Sequence, residues 1–480
     1  MLSIKELFRT KSIEQLKETA EKKSLKRTLS ALDILAMGIG AIIGTGIFVL
    51  TGVAAALHAG PAIVVSFIIS GFACMLIALV YSELASMVPV AGSAYTYSYA
   101  AIGEIVAWIV GWDLILEYGM SICVVSAGWS GYVTSLLNTG GINLPLMLTA
   151  TPSNGGLINL PAMLIPLFLG FLLVLGTKES ATFTKIVVVF KLAAIFIFVF
   201  LAVPKFNAAN WSNFMPYGYS GILSGAAIIF IAYLGFDSLS TTAEECRNPQ
   251  KDLPIGILGS LLVCTIIYVI VSAVMTGIIP YQQLNIADPL SYALTSIGHR
   301  LGSAIVACGA IAGITTVLLL DIYGQTRIVF SMSRDGFLPQ GLGKLHPKFR
   351  TPYIITIITT AAAAVIAGII PIDILANLVN IGTLFAFILS AIGVLVLRYK
   401  RPDINRPFKS PAIHIVVPLA VIMCAILLLT LSVETWLRFI IWFFVGIAIY
   451  FAYGRRHSVL GREKAKEEVV MMEGARKEKV

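Results

Sequence analysis

Gly38-Ile39-Gly40-Ala41-Ile42-Ile43-Gly44-Thr45-Gly46-Ile47-Phe48 lies inside an apolar stretch that would otherwise read as an ordinary membrane helix. Ala232-Tyr233-Leu234-Gly235-Phe236-Asp237-Ser238 interrupts another such stretch, nearly two hundred residues later. Glycine disfavours continuous helix. Within a bilayer, backbone released from a helix must meet protein, water or a ligand. Paired interruptions in the two halves of a chain are the best sequence pointer to a transporter's substrate site. The reading is therefore a secondary transporter with its binding centre at these two breaks.

The rest of the chain agrees with that setting. Of 480 residues, 58% are hydrophobic and 12% charged, far from the roughly 25% charge of soluble domains. Apolar runs fall at about 32–56, 61–87, 102–137, 161–176, 183–203, 221–244, 254–279, 302–330, 353–371, 374–397, 411–432 and 435–453. Each can cross a hydrocarbon layer of about 30 Å. The expectation is an all-α polytopic membrane protein with twelve transmembrane helices. About thirty polar residues precede the first run, so no cleavable signal peptide is expected.

The net charge of +9 could suggest nucleic acid, but its distribution is topological. Lys and Arg crowd the N-terminal tail, alternate loops and the C-terminal tail, while the opposite side holds Lys205, Arg300, Arg438 and little else. The positive-inside rule makes the rich side cytoplasmic, with both termini there, in a plasma membrane. Basic tails can also meet anionic membrane lipid. No nucleic-acid partner is expected.

The two breaks stand five spans apart, and an odd number of spans inverts the second unit. The expected organisation is a basic tail (1–30), a first inverted repeat of spans 1–5 (31–204), a second of spans 6–10 (220–398), spans 11–12 (411–453) and a charged tail (454–480). This is a five-plus-five repeat with discontinuous helices 1 and 6.

In span 1, Gly40 and Gly44 form a GxxxG pair that could simply let a helix approach. Thr45-Gly46 exceeds that need. An unwound segment would offer N–H groups to a carboxylate and carbonyls to an ammonium or cation. In span 6, Gly235 would be the hinge; Tyr233 and Phe236 would flank the cavity or pack in the bundle. Asp237 is expected to cap the second half-helix.

Lys191 lies deep in span 5, in Val187-Val188-Val189-Phe190-Lys191-Leu192. A charge there is costly and should face the interior with a partner. Its amine can take up and release a proton, which makes it the candidate proton carrier in place of a coupling cation. The alternative is a fixed structural cation paired with Glu117 or with a broken-helix carbonyl. Glu117, the other proton-coupling candidate, shares one face of span 3 with Asp113 and is the deeper partner for Lys191 or for a substrate amine, with a structural ion pair within the bundle as the alternative. Asp321, in span 8, shares a face with Val317 and Gly324, and could line the cavity or pair with Arg327.

The six cysteines (Cys74, Cys123, Cys246, Cys264, Cys308, Cys424) form no CxxC pair and read as small buried hydrophobes, so no metal site is expected. No HExxH, nucleophile elbow or GxxxxGK[ST] occurs, which argues against a membrane enzyme or primary pump and for no cofactor.

Together, Gly38–Phe48, Tyr81-Ser82-Glu83-Leu84 running on to Pro89, Gly92 and Tyr95, Gly111–Tyr118, Phe230–Asp237, Glu244–Pro254, Tyr323–Arg327 and Ser333–Gly336 resemble the amino acid–polyamine–organocation superfamily of permeases. The likeness is nearest to bacterial members of the cationic amino acid transporter family, and covers roughly 30–457. It implies a leucine-transporter-type fold and alternating access. It also implies that the substrate carboxylate meets Ile43, Gly44, Thr45 and Gly46, and that the amine meets carbonyls near Ile39, Ala232 and Gly235. A lysine of proton-coupled members matches Lys191. In this family the position of Asp321 is usually apolar or small, so the acid sets this chain apart.

The expected function is import of amino acids coupled to protons. An exchanger, a polyamine or amine carrier, or a non-transporting nutrient sensor are the alternatives.

Overall fold

The computed structural model describes residues 8–10, 29–87, 93–175, 181–237, 239–240 and 246–462. Most of the N-terminal tail, residues 88–92, 176–180, 238 and 241–245, and the tail beyond 462 lie outside the described residues, together with the expectations attached to them.

The first helix, α1 (Ala31–Ile42), starts on a reciprocal cap: the Asp33 N–H meets the Ser30 hydroxyl, and the Ser30 N–H donates to Asp33 Oδ2 at 2.9 Å. Two orphan donors at the helix start are thereby satisfied. The helix stops at Ile43, whose ψ of 102° is extended. It resumes beyond the break as π-helical Gly46–Leu50, α-helical Thr51–Ala54 and π-helical Ala55–Ala59. Further helices are α2 (Ile63–Met87), α3 (Ser93–Ala101), α4 (Glu104–Thr139), α5 (Leu160–Val174), α6 (Ala181–Ala202) and α7 (Gly218–Ile229). Next come α8 (Pro249–Ile278), α9 (Pro289–Ser296), α10 (Arg300–Arg334) and α11 (Tyr353–Ile369). The last three are α12 (Ile372–Lys400), α13 (Ile413–Leu429) and α14 (Val433–Ile449).

Among the described residues, seven helices are long and apolar enough to cross a membrane, including Glu104–Thr139, Pro249–Ile278, Arg300–Arg334 and Ile372–Lys400. Shorter apolar helices fill Ala31–Ile42, Leu160–Val174, Gly218–Tyr233, Tyr353–Ile369 and Ile413–Leu429. The chain is thus an all-helical, polytopic membrane protein. Two helices, α3 and α9, stand where the apolar-run reading left only connections. Both are short and carry too little apolar sequence to register as spans.

The long helices α4 and α10 pack along each other, and α2 packs on α8. Small side chains let α2 approach α7: Ser66 Oγ donates to the Ile222 carbonyl at 2.8 Å, and Ser70 Oγ to Ala226 at 2.7 Å. Such hydroxyl-to-carbonyl contacts bind helices where hydrophobicity cannot. At one end of the bundle, Glu83 is fully buried and is held by Arg398 at 2.6 and 2.9 Å, by the Ser410 N–H, and by Arg406 at 3.6 Å. Toward α14, Trp112 and Trp442 stack at 4.4 Å and exchange indole N–H bonds with each other's carbonyls.

The cysteines are all free, with five buried and Cys308 exposed on α10. The expectation of burial fails at Cys308 because the face of a spanning helix that meets lipid is as apolar in sequence as the face that meets protein.

Candidate functional site

The two interruptions meet. A Cβ on Gly46 would collide with the Cα and Cβ of Ala232, so span 1 beyond its break lies directly against the 3-10 turn that follows α7. On the other side, a Cβ on Gly235 would stand 2.9 Å from the Ala41 carbonyl oxygen. Gly235 has φ +106°, a region where a side chain is strained. After α7 the chain tightens into 3-10 turns over Phe230–Tyr233, then extends at Leu234, whose ψ is 155°. Glycine is required at these contacts by space and by backbone conformation.

Breaking a helix strands its last carbonyls and the first amides of the next segment. Lys191 serves the carbonyls of span 1. It is fully buried, and its ammonium donates to Ile43 O at 2.8 Å and closely to Gly40 O. A Cβ at Gly313 on α10 would come within 3.0 Å of Lys191 Cδ, so the glycine makes room for the stem. A cation on the C-terminal carbonyls also complements the helix dipole. Lys191 and Glu117 are not brought together as an ion pair; the lysine's partners are backbone.

Tyr268 serves both breaks. Its hydroxyl lies 2.9 Å from Ile42 O and 2.8 Å from Ala232 O. Sequence reasoning missed this residue. It sits in Thr265-Ile266-Ile267-Tyr268-Val269, where a lone tyrosine on a spanning helix carries no local signal.

The Ile39 carbonyl accepts from the Ile43 N–H at 3.0 Å and closes the last turn of α1. Gly44 packs against Val317. Among the described residues the buried Thr45 hydroxyl has no hydrogen-bond partner, and its methyl faces Gly128. Tyr233 donates to the Phe67 carbonyl at 2.7 Å and stands edge-on to Tyr268. Phe236 packs with Tyr81 and Phe387 at 5.9 and 5.4 Å. Asp237 accepts from the Gly235 N–H at 3.2 Å, which satisfies a donor inside the break, and from Tyr118 Oη at 3.2 Å.

Carboxyls gather around Glu117. Glu117 has Asp237, Asp113 and Asp321 as its charged neighbours and the Thr383 hydroxyl beside it. Among the described residues, both oxygens of Asp113 and Oε2 of Glu117 are buried without hydrogen-bond partners. Asp321 accepts from Ser121 Oγ at 2.6 Å, while Arg327 lies over the Tyr323 ring at 4.7 Å. The possible Asp321–Arg327 pair is therefore replaced by contacts to two other helix positions. Among the described residues, no group of His, Cys, Asp and Glu is arranged to hold a metal ion.

A model of the family described as amino acid permease matches residues 29–453. A branched-chain amino acid permease of Bacillus subtilis is 49% identical over 95% of this chain and 99% of its own length. A methylthioribose transporter of the same organism is 46% identical with the same coverage. A vacuolar cationic amino acid transporter of Arabidopsis thaliana is 39% identical over 79% of this chain and 64% of the relative. With matched breaks in a helical membrane bundle and likeness of this extent along its length, the chain belongs to the amino acid permease family and is a transporter, not an enzyme.

Proposed function

We propose that this chain imports amino acids across the plasma membrane by alternating access, driven by protons. The observation that carries the reading is the Lys191 ammonium on the Gly40 and Ile43 carbonyls. That is the place where a coupling cation would coordinate freed backbone. Loss of the proton would release those carbonyls and loosen α1 from α6, so the protonation cycle and the movement of span 1 are linked through one bond set.

The substrate would lie where span 1 and span 6 cross. Amides from Gly44 to Gly46 would hold the carboxylate at a helix start, and carbonyls near Ile39, Ala232 and Gly235 would receive the amine. Thr45 adds a hydroxyl. Glu117 is the second proton-handling candidate, Asp237 braces the break, and Tyr233 and Phe236 pack behind it. Asp321 would stand toward the side chain of the substrate. The twelve apolar runs would then form two inverted five-span units and a closing pair, with both termini cytoplasmic.

The acidic neighbours Asp113, Glu117, Asp237 and Asp321 favour one second reading, a carrier of amines or cationic amino acids, because buried carboxylates attract a cation.

Purified protein in liposomes should be given labelled cationic, small neutral and branched amino acids, with and without an inward proton gradient. Accumulation that follows the gradient supports the reading. Vesicles that take up a thiosugar and none of the amino acids would overturn it.

A further inference from the structure

A cavity of about 360 Å³ lies between the outer half of span 1, the start of α12 and the start of α14. Its size falls within the range of small-molecule sites, roughly 300–1,000 Å³. Its lining shares no residue with the two breaks or with the carboxyl group around Glu117. Three charged side chains line it: Asp373 on α12, and Glu434 and Arg438 one turn apart on α14. All three are exposed, and no ion pair joins Glu434 to Arg438 among the described residues. His58 completes the polar rim, while Leu50, Val53 and Ile228 form the floor.

The position of Arg438 fixes the level of this groove. Leu437 and Ile441, on either side of it in sequence, are exposed apolar residues of a spanning helix. A guanidinium at the rim of a lipid-facing surface belongs at the headgroup layer, where it meets phosphate bidentately. Two carboxylates beside one guanidinium leave the groove with excess negative charge. The complementary ligand carries a phosphate and a cationic end that can donate hydrogen bonds. Its hydrocarbon would continue over Leu437 and Ile441 into the bilayer.

We propose that this groove binds the headgroup of phosphatidylethanolamine, with the phosphate on Arg438 and the primary ammonium between Asp373 and Glu434. Phosphatidylcholine lacks N–H donors and cannot satisfy the carboxylates; an anionic headgroup meets repulsion from them. The floor residues Leu50 and Val53 belong to span 1 beyond its break, and Ile228 to the last turn of α7. Occupancy would therefore brace span 1 beyond its break and the last turn of α7 before its own break.

Native mass spectrometry of the full-length protein, purified from vesicles of equal phosphatidylethanolamine, phosphatidylcholine and phosphatidylglycerol, tests this. The ethanolamine lipid should be retained over the choline lipid by roughly three- to tenfold, the worth of exposed charge-assisted contacts. Arg438→Gln and the Asp373→Asn/Glu434→Gln pair should each erase that preference, whereas Lys205→Gln, at another exposed cation, should keep it. Equal retention of the ethanolamine and choline lipids, or preference for the glycerol lipid, would overturn the proposal. So would free phosphoethanolamine displacing the lipid completely, since the acyl chains would then contribute nothing. Lipid retention is read without transport, so its failure is separate from any failure of amino acid uptake.

Discussion

The Tyr268 hydroxyl lies 2.8 Å from the Ala232 carbonyl while remaining 2.9 Å from that of Ile42. One proton is shared between the loose ends of two interrupted spans, and α8 is thereby tied to both. Tyr268→Phe keeps the ring, which packs on Phe67 and Tyr233 at 5.3 Å, but leaves a buried carbonyl without its donor. That costs about 1–3 kcal/mol. Uptake into proteoliposomes should fall roughly tenfold with little change in expression. Wild-type rates in Tyr268→Phe would show that the bridge is dispensable.

Lys191 should separate coupling from folding. Lys191→Arg preserves a cation near the Ile43 carbonyl but cannot give up its proton. Gradient-driven uptake should be lost in Lys191→Ala and Lys191→Arg alike. Undiminished pH-gradient-driven accumulation by Lys191→Ala would refute the proton role.

At the crossing point, Gly46→Ala places a methyl group against Ala232 backbone, and Gly235→Ala adds strain at φ +106° and a contact to the Ala41 carbonyl. Overpacking of this kind costs about 1–3 kcal/mol. Both variants should melt earlier and transport poorly. Gly341→Ala, where a Cβ meets nothing within 4 Å, should behave as wild type.

Glu83 is buried between Arg398 and Arg406. Glu83→Gln leaves two guanidinium groups without their carboxylate, and removing one partner of a buried pair costs about 3–5 kcal/mol. The melting temperature in detergent should drop sharply. Asp403→Asn, which breaks the exposed Arg401 pair, should leave it unchanged.

On the loop before α9, the Asp288 carboxyl accepts from Ser135 Oγ at 2.5 Å, and burial pushes it up to about 6. A carboxyl raised in the folded state adds stability below its unfolded value of about 3.9, and that stability is lost as pH rises through 6. The wild-type protein should therefore lose about 2 kcal/mol between pH 4 and pH 7 from this group. Asp288→Asn should flatten that part of the pH–stability curve. An unaltered slope in the variant would rule out Asp288 as its source.

Sequence alone determined the setting and the weak points of this protein. Apolar runs are a local property, and so is glycine at Gly44, Gly46 and Gly235, because a bilayer leaves the backbone few alternatives to helix. The depth of Lys191 in span 5 was equally legible. The tertiary structure decided the partners. Lys191 found the carbonyl of Gly40, 151 residues away, rather than Glu117; Asp321 found Ser121 rather than Arg327; and Tyr268 joined two breaks that nothing in its own neighbourhood announces. A side chain's cost in the membrane is written at its own position, but the atom that meets it depends on which helices come to lie side by side.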